Sequence, residues 1–311
     1  MNSFFRFSVI FCTYNREKYI FNAMESIALQ DYPRDKYEIV LVNNNSTDKT
    51  EELCKAFQKK YPDIHFNYCV EKQQGLSYAR NKGIEESRGE LLVYVDDDAT
   101  VFPDYLKAYD DFFNTYSSEL VAGGPIIPHY EVDPPEWISY YTEVLLTAYL
   151  YKGEKIIPFK NGLFPGGGNA CYRSEVFEKY GLFNVELGRK GNGLIGAEEK
   201  DFFSRLFADK KKVWYVPQAG IYHYIPAQKL TESHFKKLTY SIGVSERIRT
   251  LSVSKMFFAK RLFQEMIKWA ASIVLFCQFL IKGEYPKGKK LLEFRYNVTK
   301  GFFKRKTKSE K

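Results

Sequence analysis

Cysteine is scarce. Five occur in 311 residues, at Cys12, Cys54, Cys69, Cys171 and Cys277, an odd number, scattered, with no Cys-x-x-Cys pair. This argues against a disulfide-stapled scaffold and a structural zinc site, and points to a reduced, cytoplasmic protein. Histidine occurs only four times. No internal repeat or low-complexity tract is present before the tail. No apolar run reaches the ~18–20 residues that a bilayer-spanning helix needs. The nearest approach, Trp269 to Ile281, is too short to cross easily. Met1 to Arg6 is too short for a secretory signal, and Phe7-Ser-Val-Ile-Phe11 already reads as a strand. The glycine-rich segments are followed by no Gly-Lys-Ser/Thr, which excludes a P-loop. The glycine-rich Arg/Lys signature of nucleotidyltransferases is also missing after the first strand.

Apolar residues are plentiful at 45%, enough for a real core, and aromatics reach 17%. Such an aromatic surplus serves sugar stacking, a membrane-facing surface, or simply the core. The net charge is +8, from 46 basic and 38 acidic residues. The excess gathers at the end, where Lys300, Lys304, Arg305, Lys306, Lys308 and Lys311 face only Glu310. A basic tail favours phosphates, of nucleic acid or of anionic lipid, but no nucleic-acid motif accompanies it, and nucleic acid is not an expected partner. The stretch Phe257–Lys282 is apolar with basic flanks. It reads as a helix that lies on a membrane surface, packs on the rest of the chain, or meets another copy.

The first half alternates strand and helix. Strands are expected at Phe7–Phe11, Tyr37–Val42, Ile64–Val70 and Leu91–Val95. Helices are expected at Ile20–Leu29, Thr50–Lys60 and Gly75–Ser87, with another from Tyr105. This is the pattern of βαβ units on a mostly parallel sheet, an α/β fold. After Leu120 breakers dominate: Gly123–Pro128, Asp133–Trp137, the glycine loop Leu163–Ala170, and a loose loop over 191–196. A helix begins at Glu198 with acid in its first turn, short strands follow at Val213–Val216 and Ile221–His223, and from Thr231 the chain reads helical. The expected division is a catalytic domain over 1–230, its nucleotide half about 1–120 and acceptor half about 121–230, and a helical basic region over 231–311.

The strand Leu91–Val95 runs into Asp96-Asp97-Asp98. Ligands of open α/β sheets bind beyond the carboxyl ends of strands. Alternate residues of a strand end face one way, so Asp96 and Asp98 converge while Asp97 turns aside. Two converging carboxylates suit Mg2+ or Mn2+ shared with substrate phosphate. The competing reading is a solvated acidic turn or a helix cap.

Five short motifs then occur in one family's order: Ser8–Arg16, Val42–Asp48, Gly75–Gly83, Asp96-Asp97-Asp98, and Pro165–Ala170 with Glu198-Glu199 and His223. Together they resemble an inverting family 2 glycosyltransferase of bacterial polysaccharide synthesis, with the GT-A (Rossmann-like) fold, over roughly residues 7 to 245. The resemblance implies transfer of a hexosyl or N-acetylhexosaminyl group from a nucleotide sugar, expected to be a UDP-sugar, to a hydroxyl of a glycan or lipid-linked acceptor. It implies a divalent metal, Mn2+ or Mg2+, on Asp98, Asp96 and His223. It places the donor against Thr13, Tyr14, Asn15 and Arg16, Asn44 and Ser46, Arg80 (with Lys82 as the other basic choice), Asp96 and Asp97. The general base falls on Glu199, where the family usually has Asp, with Glu198 or Asp201 as alternatives. Asn43 and Asn44 stand where at least one Asp is usual. The alternative to an enzyme is a non-catalytic member that binds sugar nucleotide or membrane. The expected location is cytoplasmic, at the inner face of the cell membrane.

Overall fold

A computed structural model describes residues 5–160, 162–191, 193–194 and 196–304. The last basic residues of the tail, Arg305, Lys306, Lys308 and Lys311, lie outside the described residues, as do two positions of the loop over 191–196. The chain forms two compact units. The first takes Met1–His129, Tyr149–Gly191 and Glu198–Tyr224, and the second takes Tyr130–Ala148, Asn192–Ala197 and Ile225–Lys311.

The first unit is a mixed α/β layer structure. It opens with β1 (Phe5–Thr13), α1 (Ile20–Ala28), β2 (Tyr37–Asn43), α2 (Thr50–Lys60), β3 (His65–Val70), α3 (Leu76–Glu86) and β4 (Gly89–Val95). β5 (Ala99–Val101), α4 (Tyr105–Thr115), β6 (Val121–Gly123) and β7 (Ile126–Tyr130) follow, then β8 (Ile157–Pro158), β9 (Asn169–Arg173) and α6 (Glu175–Tyr180). α7 (Glu198–Ala208), β10 (Trp214–Tyr215) and β11 (Ile221–Ile225) close it. The main sheet has the order β3-β2-β1-β4-β9-β6-β10-β8, and a small sheet has the order β5-β11-β7. From β3 to β4 every pairing is parallel, and β9 then joins β4 antiparallel.

The four parallel strands sit where their apolar runs predicted them. Every residue of β2 is buried, as a strand covered on both faces requires. Along β1, Phe7, Val9 and Phe11 face the layer of α1 and α4, while Ile10 faces the layer of α3 and α7. In α1 the buried residues are Ile20, Ala23, Met24, Ile27 and Ala28, a helical stripe laid on the sheet. The glycine loop does not stay a loop. It turns directly into β9, whose first residue Asn169 receives hydrogen bonds from the Tyr105 and Tyr109 hydroxyls at 2.9 Å each. Its amide donates to the Pro125 and Ala219 carbonyls at 2.9 Å, so one buried side chain ties together four segments.

The second unit contains α5 (Tyr140–Thr147), α8 (Glu232–Val253), α9 (Lys255–Ile281) and α10 (Tyr285–Phe302). Its core is Leu146 of α5, Phe235 and Leu238 of α8, and Leu291, Phe294 and Val298 of α10. α8 and α10 approach through glycine: a Cβ on Gly243 would strike the Val298 carbonyl, and one on Gly301 the Tyr240 carbonyl. Ser254 divides α8 from α9, its hydroxyl accepting from the Phe257 amide at 3.0 Å. α9 corrects one expectation. At 27 residues it is long and apolar enough to cross a membrane by length and composition. Counting only the unbroken apolar run from Trp269 missed the first half, where Arg261 and Glu265 turn inward and leave apolar neighbours outside.

Candidate active site

The carboxyl ends of β1, β2 and β4 converge at one edge of the main sheet. Thr13 ends β1 opposite Asn43 at the end of β2, and β4 delivers Asp96. The chain then reverses into β5, which pairs antiparallel with β11 so that Ala99 faces His223. The Tyr224 amide donates to the Asp98 carbonyl at 2.8 Å, and His223 Nε2 stands 3.2 Å from Asp98 Oδ1. Strand register thus brings a histidine to an aspartate far away in sequence.

Asp96, Asp98 and His223 offer three ligand atoms within 4.8 Å of one another. Ligands each about 2.1 Å from one small divalent ion stand at most ~4.2 Å apart. The group therefore needs a closure of under about 1 Å to hold one. Two carboxylates and one imidazole are a donor set that such ions accept. Asp97 points elsewhere, to Arg16 Nε at 3.3 Å, while the other arm of Arg16 reaches Asp98 at 3.5 Å. Burial pushes the Asp97 carboxyl up to about 6; Arg16 opposes that rise and the Asp98 charge adds to it. The same aspartates, Asp97 foremost, hold the Arg16 guanidinium firmly charged.

The first turn is knitted to the second. Asn15, at φ 54°, receives Ser46 as acceptor of its amide at 3.0 Å and accepts from the Thr47 amide at 2.8 Å. The Arg16 amide donates to Thr50 Oγ1 at 3.1 Å. The Thr13 hydroxyl is buried beside Asp97 without a hydrogen bond of normal geometry, and Tyr14 is half-exposed at the edge of the cleft. Asn44 is engaged with the loop that follows β3. Its amide donates to the Glu71 and Gln73 carbonyls at 2.9 Å, and its oxygen accepts from Gly75 N at 2.8 Å and Gln74 Nε2 at 3.2 Å. All its hydrogen-bonding positions are spent on the 71–75 loop.

Arg80 is not a free phosphate ligand either. Its buried guanidinium bridges Glu198 at 3.1 Å and Glu199 at 2.9 Å, and lies over the rings of Phe183 and Tyr94. Burial works to lower its pKa, but Glu199 and Glu198 outweigh that and raise it. Lys82 pairs with Glu85 and Glu86 on the surface. The two glutamates differ in access: Glu198 has 2% of its side chain exposed and Glu199 25%. Asp201 turns away to Arg205 at 3.4 Å. Across these groups runs the glycine loop. A Cβ on Gly167 would collide with Glu199 Oε1 and Arg80, and a Cβ on Gly168 with the Asp96 carboxylate. Consecutive glycines therefore separate the acidic cluster from Glu199 by bare backbone. Sequence reading missed the Arg80 bridge, since no local pattern links residues so far apart.

The family model described as Glycosyl transferase family 2 matches residues 8–181. The chain belongs to glycosyltransferase family 2. This glycosyltransferase is 29% identical over 223 residues to the glucosyl-dolichyl phosphate glucuronosyltransferase of Haloferax volcanii, a match covering 70% of this chain and 68% of the relative. It is 25% identical over 261 residues to glycosyltransferase GlyA of Streptococcus pneumoniae, covering 79% of this chain but only 35% of that longer protein. Among solved structures, a mannosyltransferase from Pyrobaculum calidifontis in complex with GDP-Man and Mn2+ superposes with a TM-score of 0.62 at 16% identity, over 95% of this chain and 85% of that one. The shared fold is GT-A.

Proposed function

We propose that this glycosyltransferase moves one hexosyl or N-acetylhexosaminyl group from a nucleotide sugar, with UDP as the expected carrier, to a hydroxyl of a glycan or lipid-linked acceptor. The observation that carries the reading is the convergence of Asp96, Asp98 and His223 at the end of β4, with the partly exposed Glu199 beyond the adjacent glycines. The dolichyl phosphate in the Haloferax relative's name supports a lipid-linked acceptor. Asp98, Asp96 and His223 would hold a divalent cation, and the single imidazole favours Mn2+ over Mg2+. When bound, that cation offsets the negative charge growing on the departing nucleoside diphosphate.

The chain's own groups do the rest. Tyr14 offers a ring for the base to stack on. Thr13 and the Asn15–Ser46 turn shape the nucleoside pocket, and Arg16 keeps Asp97 in place beside it. Glu199, oriented by Arg80, takes the proton from the acceptor hydroxyl as it attacks. A single displacement inverts the anomeric carbon, so an α-linked donor gives a β-linked product. We assign the donor to residues 1–120, the acceptor to 121–230, and attachment at the inner face of the membrane to 231–311.

The test is calorimetry and donor hydrolysis with a panel of nucleotide sugars, in Mn2+, Mg2+ or EDTA, on the native chain and Asp98→Ala. One donor should bind only with metal, release its nucleoside diphosphate slowly, and lose binding at least tenfold in the variant. Metal-independent binding without turnover would instead leave a non-catalytic binder.

A further inference from the structure

α9 is built inside out for a helix of a water-soluble bundle. Its buried side chains are Arg261, Glu265 and Ser272. Arg261 binds Glu246 of α8 at 2.6 Å and also pairs with Glu265. Arg249 of α8 joins Glu246 at 3.1 Å, and Arg295 of α10 stands 3.9 Å from Glu265. The ionic groups of the three helices thus meet one another in the interior, with Glu265 Oε2 left without a hydrogen bond. The outer face of α9 carries Met256, Phe263, Ile267, Ile273, Val274 and Ile281, all more than half exposed. All but Ile273, which flanks the line, fall at helical spacing along one side over some 25 residues, roughly 38 Å at 1.5 Å per residue. An apolar stripe of that length on a surface marks a contact.

The charges around the stripe say what it meets. Its only acidic residue, Glu265, is buried, whereas Lys255, Lys260 and Lys282 are exposed. At the carboxyl end a cavity of about 280 Å³ is lined by Tyr140, Tyr141, Lys282 and Lys287. Two copies joined through α9 would bring lysine to lysine with no exposed carboxylate on α9 to meet them; Glu284 beyond its end already pairs with Lys287. An anionic bilayer supplies both the apolar contact and the opposite charge. A spanning orientation would carry Arg261, Glu265 and Lys268, with the packed helices, into hydrocarbon.

We infer that α9 lies in the plane of an anionic membrane surface, with the Met256–Ile281 stripe immersed among the acyl chains and its lysines at the phosphate level. This rests on the membrane placement proposed above for the C-terminal region, not on the transfer chemistry. The test is flotation of the full chain with vesicles of phosphatidylcholine alone or with about one third phosphatidylglycerol. The native chain, Ile267→Glu with Val274→Glu, and Lys255→Gln with Lys260→Gln and Lys282→Gln are compared. The substituted positions are exposed, so circular dichroism and donor calorimetry should be unchanged. The native chain should float with the anionic vesicles. The glutamate variant should lose at least tenfold in partitioning, the glutamine variant should lose preference for anionic lipid, and alkaline carbonate should strip the native chain. Three results overturn the inference: no flotation by a chain that still binds donor; a solution dimer, by light scattering, abolished by the glutamate variant; or resistance to carbonate with sites protected on both sides of the bilayer. Loss of donor binding with flotation intact would count against the catalytic reading alone.

Discussion

Arg80 holds two carboxylates with one guanidinium, and only one of them is open to solvent. That asymmetry separates structure from chemistry at the level of single residues. Arg80→Leu removes the cation from a carboxylate in the interior, a loss worth about 3–5 kcal/mol when one partner of a buried pair is deleted. Thermal denaturation should show a fall of at least ~6 °C for a chain of this size. Glu199→Gln should be different. Its fold and donor affinity should stay near native, while kcat drops by ~10²–10⁴, the usual worth of a general base. Gly167→Ala separates the two further, because its methyl group would press on both Glu199 and Arg80. It should lose at least tenfold in kcat/KM, with a smaller change in melting than Arg80→Leu. Donor-binding titrations beside steady-state rates distinguish all three.

Among the elements, the β5–β11 ribbon sets the site and the α8–α10 crossing sets the helical unit. Gly243→Val should destabilise by about 1–3 kcal/mol through overpacking against the Val298 carbonyl, read by denaturant unfolding. The first four parallel strands were legible because buried parallel strands are continuous apolar runs. The acidic triplet was legible because it ends one of them, and its alternation told which carboxylates would converge. β6 and β8 have only three and two residues, too few for any periodicity to show. β9 was hidden by the glycines before it, and α5 by the breakers at 133–137. The loop contacts of Asn44 were not legible because an amide side chain reads the same whether it faces a ligand or clamps a loop. Only the positions of Glu71, Gln73 and Gly75 decide that, and they are set by the fold. Similarly, nothing within the stretch Phe257–Lys282 showed that Arg261 and Glu265 turn inward; the Glu246 that Arg261 meets comes from α8.

For the whole molecule, the second unit is discontinuous. It draws Tyr130–Ala148 from the middle of the chain and joins it to helices that come much later. A chain cut after residue 230 would keep Leu146 and Trp137 but lose Phe235, Leu291 and Phe294, which cover them. Such a fragment should bind a hydrophobic dye and aggregate, while the full chain does not; equal dye binding by both would contradict this. The same discontinuity has a consequence in time. As the chain leaves the ribosome, α5 emerges roughly 145 residues ahead of Leu291. At about 5–20 residues per second, its apolar face waits some 7–30 seconds for its cover. The interval in which this protein is most open to chaperones is therefore set by the order of its segments along the messenger.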